Sequence, residues 1–416
     1  MDAIRIYGGK RLEGQTTIQG SKNASLPILA ATLLINGTCE IENCPDISDV
    51  YHMQRLLTSL GCKVEREETL VRVNTESLSE CDMPSDSVGV MRSSVMLLGS
   101  LLARTGYVCM EYPGGCVIGA RPIDLHLQSL RRMGVTIEET ETGFCAEAAR
   151  LKGAELKLPF VSVGVTENLI LAAVLADGMT VIEPAAQEPE IQALCAFLKS
   201  AGAQIEGSGT GRLVIRGVER LKPVRYRVPA DRIVAGTYLS ACMCTGGRIF
   251  LRDAPVQHME SVLEQAVRMG AAIDRESEGI LVTGRDHEST CHSLTTGCYP
   301  AFPTDMQSPF MVVMAVSGHS GRIDETVFEN RFRIVPELRK MGADITVQGN
   351  TAYINGDGRL HSAIVQAEEL RGGAALVAAG LAADGTSIVT NRHYIDRGYE
   401  DIVRSLRELG ADIELA

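Results

Sequence analysis

The chain has 416 residues and a formal net charge of −12, and 45% of its residues are hydrophobic. This composition is typical of a globular protein of two or three domains, with enough apolar material for two cores. The acidic balance, the 4% aromatic content and the lack of Trp argue against a surface that binds nucleic acid.

The N-terminal sequence MDAIRIYGGKRLEG has no basic segment followed by an apolar one, so we expect no signal peptide. The longest apolar runs reach about a dozen residues, too few to span a bilayer. We therefore expect a cytoplasmic protein that does not bind membranes. Of the twelve cysteines, the close pair Cys242 and Cys244 lacks the spacing of a zinc site, so we expect no metal and mostly buried thiols.

The first twenty residues have a strand-like pattern that assigns them to neither half of the chain. They are followed by GSKNASLP, in which Gly20, Ser21, Lys22 and Asn23 precede an apolar helix. A helix N-terminus beside a lysine is suited to binding an anion. Local pattern alone favours the alternative, a capped helix with a solvent-exposed Lys22.

The segment PGGCVIGARPIDL, residues 113–125, is dense in glycine and proline and predicts an exposed loop. Its Cys116 lies near Arg121, an electropositive setting that favours the thiolate. The alternative is an unreactive loop thiol.

Farther along, VRYRVPADRIVAG contains Pro229 and two arginines, and we interpret it as a crossing between two halves of the chain. The segment CYPAFPTDMQSP then brackets a rigid loop between Pro300 and Pro303 that presents Asp305 at a predicted helix N-cap. Capping alone would explain an aspartate there, so its role as a catalytic base stays an open alternative.

Three arginines lie at turns or helix starts in the second half: Arg331 in FENRF, Arg371 in EELRGG and Arg397 in YIDRGYE. Single arginines are usually solvated or paired at the surface. One arginine in each successive repeat nevertheless suggests a shared binding role.

An internal repeat gives the strongest indication of architecture. Six glycines, 68 to 73 residues apart, each follow an amphipathic helical segment and precede an alternating strand pattern: Gly61, Gly134, Gly202, Gly270, Gly342 and Gly410. This is the pattern of a helix C-cap with positive φ followed by a half-buried strand.

A second signature, an apolar helix that ends in a glycine turn before a strand, also occurs six times. Its copies span residues 26–43, 95–112, 169–184, 237–253, 310–326 and 375–391. Each unit of about 70 residues thus predicts two helices plus several strands, and three such units make a plausible domain. The alternative, a continuous solenoid, is disfavoured because solenoid repeats span about 20 to 50 residues.

These motifs together resemble the UDP-N-acetylglucosamine enolpyruvyl transferases, the 1-carboxyvinyltransferases of early peptidoglycan synthesis. The resemblance covers essentially the whole chain, through GSKNASLPILAATLL, MRSSVMLLGSLLAR, PGGCVIGARPIDLHL, SVGVTENLILAA, AFPTDMQ, ETVFENRF and HYIDRGYEDI. It implies a two-lobed inside-out α/β barrel with pseudo-threefold symmetry in each lobe. Residues 22–229 would form the first lobe, and residues 1–21 with 230–416 the second.

The resemblance also implies a set of site residues. Catalytic roles fall on Lys22, Cys116, Asp305 and Arg397, and phosphoenolpyruvate contacts on Lys22, Asn23, Arg121, Arg331, Arg371 and Arg397. Contacts to UDP-N-acetylglucosamine fall on Arg92, Arg121, Pro122, Ile123, Asp124, Leu125, Ser162, Val163, Gly164, Asp305 and Val327. Cys116 matches the loop cysteine that protonates or captures phosphoenolpyruvate and that fosfomycin alkylates in sensitive members.

The implied reaction adds the sugar 3-hydroxyl to C2 of phosphoenolpyruvate, delivers a proton to C3 and expels phosphate. It requires no cofactor and no metal, and we expect a monomer that binds these two small molecules. Two positions depart from the family: Glu369 stands where much of the family has aspartate, and Phe160 where some members have lysine. Glu369 keeps the carboxylate but lengthens it by one methylene, so it is a possible supporting carboxylate of altered placement.

Two alternatives remain open on the sequence. The related transfer to shikimate phosphate is disfavoured by GGCVIGARP and FPTDMQ. A non-catalytic paralogue that binds a nucleotide sugar is supported by Glu369 alone, and Lys22, Cys116, Asp305 and Arg397 argue against it.

Overall fold

The structure is a computed structural model that describes residues 2–78, 95–112, 123–284, 289, 292–356 and 358–416. Contacts between these residues divide them into two compact units. We call the described part of 20–229 the first lobe, and the described parts of 2–19 and 230–416 the second lobe.

Strands β1 to β23 follow in chain order: Ala3–Tyr7, Glu13–Thr17, Thr38–Glu42, Lys63–Glu67, Leu70–Asn74, Tyr107–Glu111, Thr136–Glu139, Gly143–Glu147, Glu155–Lys157, Met179–Glu183, Gln204–Glu206, Leu213–Arg216, Arg225–Arg227, Arg248–Arg252, Ala272–Glu276, Gly279–Thr283, Ser293–Thr295, Ser320–Asp324, Asp344–Gln348, Thr351–Asn355, Ile364–Gln366, Thr386–Thr390 and Asp412–Leu415.

Helices α1 to α12 of the described residues are Lys22–Thr32, Ser48–Ser59, Met96–Thr105, Asp124–Arg132, Val163–Ala173, Pro189–Ser200, Arg232–Thr245, Glu260–Arg268, Gln307–Ala315, Val335–Lys340, Leu370–Ala382 and Ile402–Glu408. Short 3₁₀ turns occur at Val256–His258, Thr304–Met306, Arg331–Ile334 and Arg392–Arg397.

The sheets repeat one pattern. In each of the five four-stranded sheets, one edge strand runs parallel to its neighbour, and the next two strands continue antiparallel. In the second lobe, for example, β17 pairs parallel with β18, which is followed by β20 and β19. The sixth sheet, β6-β8-β7, has three strands among the described residues. The predicted unit of two helices plus several strands is confirmed at this level.

The N-terminal strands complete sheets of the second lobe. β1 lies between β22 and β23, antiparallel to both, and β2 pairs parallel with β14. The ends of the chain therefore meet in one sheet, with Ile4 opposite both Val389 and Leu415.

The six predicted apolar helices are α1, α3, α5, α7, α9 and α11, and most of their residues are buried. A helix that is apolar on all sides is stable only when neighbours surround it. Each lobe has one hydrophobic core, and three of these helices contribute to each core. None of the described helices is long and apolar enough to cross a membrane.

The six repeat glycines behave as predicted. Gly61, Gly134, Gly202, Gly270, Gly342 and Gly410 all have φ between 87° and 106°. Each follows the C-cap residue of an amphipathic helix, where the left-handed conformation redirects the chain into the next strand.

One buried acid of the first lobe has a carboxyl oxygen without a hydrogen-bond partner among the described residues. Glu167, on α5, is 2% exposed, and its Oε2 has no hydrogen-bond partner among the described residues. Burial, reinforced by the charges of Glu190 and Glu188, raises the pKa of Glu167 well above its ordinary value. Burial therefore favours the protonated form of its carboxyl group.

Glu167→Gln tests this state through the pH dependence of stability. A raised pKa means that the native state holds the proton more tightly, so wild-type stability falls as pH rises above the ordinary value of 4.5. Until the native pKa is reached, each pH unit costs the wild type about 1.4 kcal/mol relative to the glutamine variant. Denaturant unfolding at several pH values should show this divergence, and Glu155→Gln, at an exposed strand position, should not. Parallel curves for wild type and Glu167→Gln would show that Glu167 is ionised in the fold.

Candidate functional site

The second lobe brings Asp305 between two buried arginines. Asp305 lies in the 3₁₀ turn Thr304–Met306, directly before α9. The Nη2 atom of Arg331 lies 2.8 Å from its Oδ1, and the Nη2 and Nε atoms of Arg371 lie 3.0 and 3.1 Å from its Oδ2. Each carboxylate oxygen therefore has its own guanidinium. The three residues come from segments far apart in sequence, which the fold brings to one place.

The prediction that Asp305 caps a helix is wrong. Neither the 3₁₀ turn nor α9 has a side-chain cap hydrogen bond, because the carboxylate of Asp305 is directed to the arginines. Arg331 and Arg371 are also not solvated at the surface, as single arginines usually are, since each is 3% exposed.

The charges set the protonation of this cluster. Burial by itself raises the pKa of Asp305, but the guanidinium groups of Arg371, Arg331 and Arg232 outweigh it and hold that pKa well below its ordinary value. For Arg371, burial lowers the pKa, and the opposing charge of Asp305 more than compensates, so the net direction is upward. Asp305 is therefore a carboxylate, and a weak base, while both arginines contact it.

Glu369 is the N-cap of α11. Its Oε2 accepts a hydrogen bond from the backbone N–H of Arg371 at 2.8 Å, and its Oε1 accepts one from Gly372. Its Oε2 also lies 3.8 Å from Nη1 of Arg331. Glu369 is thus a capping carboxylate that fixes the start of α11 at Leu370, one residue before Arg371.

Glu325 connects the Asp305 turn to the segment that leads to Arg331. It is 1% exposed, accepts a hydrogen bond from Thr304 Oγ1 at 2.9 Å, and accepts two more from the backbone N–H groups of Val327 and Phe328 at 2.8 and 3.1 Å. Val327, predicted to contact the nucleotide sugar, is therefore placed two residues from this anchor. The sequence signal that was missed is an acidic residue at the end of a strand, just before a short irregular segment.

A polar chain supports Arg371 from the other side. Its guanidinium carbon lies 6.0 Å from the ring centre of the buried Tyr399. The Tyr399 hydroxyl lies 2.8 Å from Thr237 Oγ1, which donates its own hydrogen to the Ile233 carbonyl. Because that hydrogen is committed, Tyr399 donates to Thr237, and its oxygen faces the arginine as an acceptor. Sequence reasoning missed Tyr399, although it lies only two residues after Arg397.

One nitrogen of the Arg371 guanidinium, Nη1, does not contact Asp305. This nitrogen is buried and has no hydrogen-bond partner among the described residues. An unpaired buried donor on a charged group is unfavourable, and an incoming carboxylate or phosphate oxygen would satisfy it. Arg397, predicted to join this site, ends the 3₁₀ turn Arg392–Arg397 and is partly exposed.

In the first lobe, Lys22 begins α1, and the N-terminus of this helix is capped as expected. Ser21 is the N-cap and accepts a hydrogen bond from the backbone N–H of Ala24. Lys22 is not solvent-exposed, however: its Nζ lies 2.6 Å from Oδ2 of Asp49, and both side chains are largely buried. Asn23 follows it and is partly buried. The interpretation of Lys22 as a solvated lysine is therefore wrong, and Asp49 is a partner that sequence reasoning missed.

The described residues of the first lobe that are predicted to contact the nucleotide sugar lie at two helix N-termini. Ile123, Asp124 and Leu125 lie at the start of α4, whereas Ser162, Val163 and Gly164 lie at the start of α5, with Ser162 as N-cap. His126 Nδ1 and Asn168 Nδ2, 3.0 Å apart, join the two helices. Asn168 also accepts from the Gly99 N–H at 2.6 Å and donates to the Val95 carbonyl at 3.1 Å, which ties α3 to the same place.

Four predicted site residues lie outside the described residues: Arg92, Cys116, Arg121 and Pro122. Among the residues that the structure describes, no group of three or more His, Cys, Asp or Glu side chains is arranged to hold a metal ion.

Comparison with known proteins gives a consistent family. The family model for EPSP synthase (3-phosphoshikimate 1-carboxyvinyltransferase) matches residues 6–406. A UDP-N-acetylglucosamine 1-carboxyvinyltransferase from Dichelobacter nodosus is 45% identical over 100% of this chain and 99% of its own. UDP-N-acetylglucosamine 1-carboxyvinyltransferase 2 from Caldanaerobacter subterraneus subsp. tengcongensis is 43% identical over 99% of both chains.

Solved structures agree on the fold. The enolpyruvyl transferase NikO from Streptomyces tendae superposes with a TM-score of 0.90 at 25% identity, over 99% of this chain and 98% of its own. EPSP synthase from Acinetobacter baumannii gives a TM-score of 0.76 at 18% identity, over 100% and 99% of the two chains. The chain therefore has the predicted two-lobed inside-out α/β fold.

The capping role of Glu369 makes a prediction about stability. Glu369→Ala removes two backbone hydrogen bonds at the start of α11 and should lower the free energy of unfolding by about 1–2 kcal/mol. Glu368→Ala is the matched control, because its side chain is 42% exposed and pairs with Arg333 at the surface. That variant should lose less than about 0.5 kcal/mol in the same denaturant titration. Equal losses for the two variants would contradict the capping assignment.

Proposed function

Because the chain belongs to the EPSP synthase (3-phosphoshikimate 1-carboxyvinyltransferase) family, we propose that it is an enzyme that transfers the enolpyruvyl group of phosphoenolpyruvate to the 3-hydroxyl of UDP-N-acetylglucosamine. The observation that carries this choice of acceptor is the full-length identity of 43–45% to proteins named for that reaction. Phosphate is the second product. The reaction commits the nucleotide sugar to peptidoglycan synthesis, and through it to cell wall growth, cell shape and cell division.

The cluster of Asp305, Arg331 and Arg371 suits this chemistry, with one constraint. A general base needs a pKa near the working pH, and Asp305 paired with two arginines is a poor base. Phosphoenolpyruvate carries a carboxylate and a phosphate, either of which can replace Asp305 as the partner of Arg331 or Arg371. Substrate binding would then raise the pKa of Asp305 and free a carboxylate oxygen to accept the proton of the sugar hydroxyl.

Arg371 has hydrogen-bond donors that are available to the substrate before Asp305 is displaced. Its buried Nη1 needs an acceptor, whereas its Nε and Nη2 already hold Asp305. A guanidinium can thus bind the substrate through one edge before it releases Asp305 at the other. Held in this way, the arginines stabilise negative charge on the substrate as the tetrahedral ketal forms and phosphate leaves.

The remaining roles are proposals from the family motifs. Cys116 would protonate C3 or capture phosphoenolpyruvate as a covalent adduct, and it would be the target of fosfomycin. Lys22, Arg121 and Arg397 would bind the phosphate, and Asn23 would bind nearby. The nucleotide sugar would contact the starts of α4 and α5, together with Arg92 and Val327. We also propose that the enzyme acts in the cytoplasm, because both substrates are cytoplasmic metabolites, and that it acts as a monomer.

The test is phosphate release with a choice of acceptors. Mixed with phosphoenolpyruvate and UDP-N-acetylglucosamine, the protein should release inorganic phosphate, and one equivalent of fosfomycin on Cys116 should stop it. With shikimate 3-phosphate as acceptor, the rate should stay at background. Release with shikimate 3-phosphate alone would identify the alternative transferase. Nucleotide-sugar binding without phosphate release would support the non-catalytic alternative.

Asp305→Ala tests the proposed base. It should lower kcat by about 10²–10⁴-fold, the usual contribution of a positioned base. Nucleotide-sugar binding, measured by calorimetry, should weaken but persist. Asp324→Ala is the matched control, since Asp324 pairs at the surface of the same lobe with Arg322, whose side chain is 52% exposed. A near-normal kcat in Asp305→Ala would leave Asp305 with only a structural role.

A further inference from the structure

Two cysteines of the first lobe are joined across neighbouring strands. Cys109 on β6 lies directly opposite Cys145 on β8, and their sulfur atoms form a disulfide. Of the other described cysteines, all except the exposed Cys298 are buried. The sequence pattern predicted thiols throughout, so this pair was not foreseen.

The pair lies on the outer face of its sheet. Residues alternate along a strand, and Val108, Met110, Phe144 and Ala146 point into the core. Cys109 and Cys145 therefore point away from it, and both are partly exposed. Small thiols and disulfides can reach these sulfur atoms from solvent. By contrast, burial raises the pKa of the free thiols at Cys39, Cys62, Cys195 and Cys242 and makes them poor nucleophiles.

Neighbouring groups make the two sulfur atoms unequal. Tyr107 lies two residues before Cys109 on the same face, and its hydroxyl is 2.8 Å from Cys109 Sγ but 3.9 Å from Cys145 Sγ. A disulfide sulfur has no hydrogen, so the tyrosine is the donor. Cys145 lies opposite Glu138 on β7, whose negative charge disfavours a thiolate there. Glu147 lies two residues from Cys145 and Glu111 two residues from Cys109, so these two charges affect the two sulfur atoms alike. Negative charge that develops on Cys109 is stabilised, whereas charge on Cys145 is not.

We propose that Cys109 and Cys145 form a reversible thiol–disulfide couple, a redox modification site in which Tyr107 stabilises Cys109 as the leaving thiolate. In reduction, a small thiolate attacks Sγ of Cys145, the bond to Cys109 breaks, and the thiolate on Cys109 takes up a proton. A second molecule of the thiol then displaces the first from Cys145. In total, two thiols are oxidised to one small disulfide, and the protein disulfide is reduced to two thiols. A small disulfide reverses the reaction.

Two considerations indicate that the disulfide forms reversibly and that its redox state affects the stability of the fold. Disulfides in reducing compartments are usually transient or redox-sensing, a step that rests on the cytoplasmic function proposed above. The bond also closes a covalent ring whose ends are 36 residues apart in sequence. Along the chain that ring contains all of α4, so the redox state of the pair alters how freely α4 unfolds.

The experiment equilibrates the full-length protein with mixtures of reduced and oxidised glutathione, alkylates free thiols, and maps peptides without reduction. As the mixture becomes oxidising, peptides that contain Cys109 and Cys145 should become joined, with the loss of two hydrogen atoms, and dithiothreitol should restore both thiols. Cys298→Ala should behave as wild type, whereas Cys109→Ala should leave Cys145 open to alkylation. Free thiols at both positions in every mixture would overturn the proposal, as would a bond that resists dithiothreitol in the native protein.

Two further readouts do not depend on enzymatic activity. The oxidised protein should melt about 5 °C above the reduced protein, and the difference should vanish in Cys109→Ala. Tyr107→Phe should slow reduction about two- to tenfold, the worth of one hydrogen bond to the leaving sulfur. An unchanged reduction rate, or a melting difference that persists in Cys109→Ala, would contradict the proposal. Because both readouts are made without substrates, they stand even if phosphate release fails.

Discussion

The second lobe is organised around the pairing of one carboxylate, Asp305, with the guanidinium groups of Arg331 and Arg371. Both arginines are 3% exposed, and a buried cation without a counterion is strongly destabilising. Three segments that are far apart in sequence must therefore meet at this point. Secondary anchors hold each of them. Glu325 fixes both the turn at Thr304 and the segment that leads to Arg331, and Glu369 caps the helix that begins beside Arg371.

The same pairing limits the chemistry of the site. An ion-paired Asp305 is ionised but weakly basic, so the base that we propose is inactive in the ligand-free lobe. Under the proposed function, an anionic substrate that competes for the arginines would change both features together, because it would bind the cations and release the carboxylate. Binding energy from a part of the substrate remote from the sugar hydroxyl would thereby raise the basicity of the proposed base. The free Nη1 of Arg371 gives that exchange a starting point.

The sequence predicted the repeating features well because they depend on local physics. Gly61 and its five counterparts need positive φ after a helix, and uniformly apolar helices must be buried wherever they lie. The sequence did not predict contacts between residues that lie far apart along the chain. Asp305 was interpreted as a possible cap because its neighbours in sequence allow one, yet its partners are 26 and 66 residues away. Lys22 likewise finds Asp49 on the next helix, and Cys109 finds Cys145 on another strand. Long-range pairings of this kind leave no periodic signal.

The ionisation of Asp305 can be measured directly. Protein labelled with carbon-13 at the aspartate carboxyl groups should give one resonance that disappears in Asp305→Asn and thereby identifies Asp305. If the two arginines hold this carboxylate, its chemical shift should stay at the ionised value as the pH falls from neutral through the ordinary aspartate value of 3.8. A titration with a midpoint at or above that value in the ligand-free protein would contradict the account.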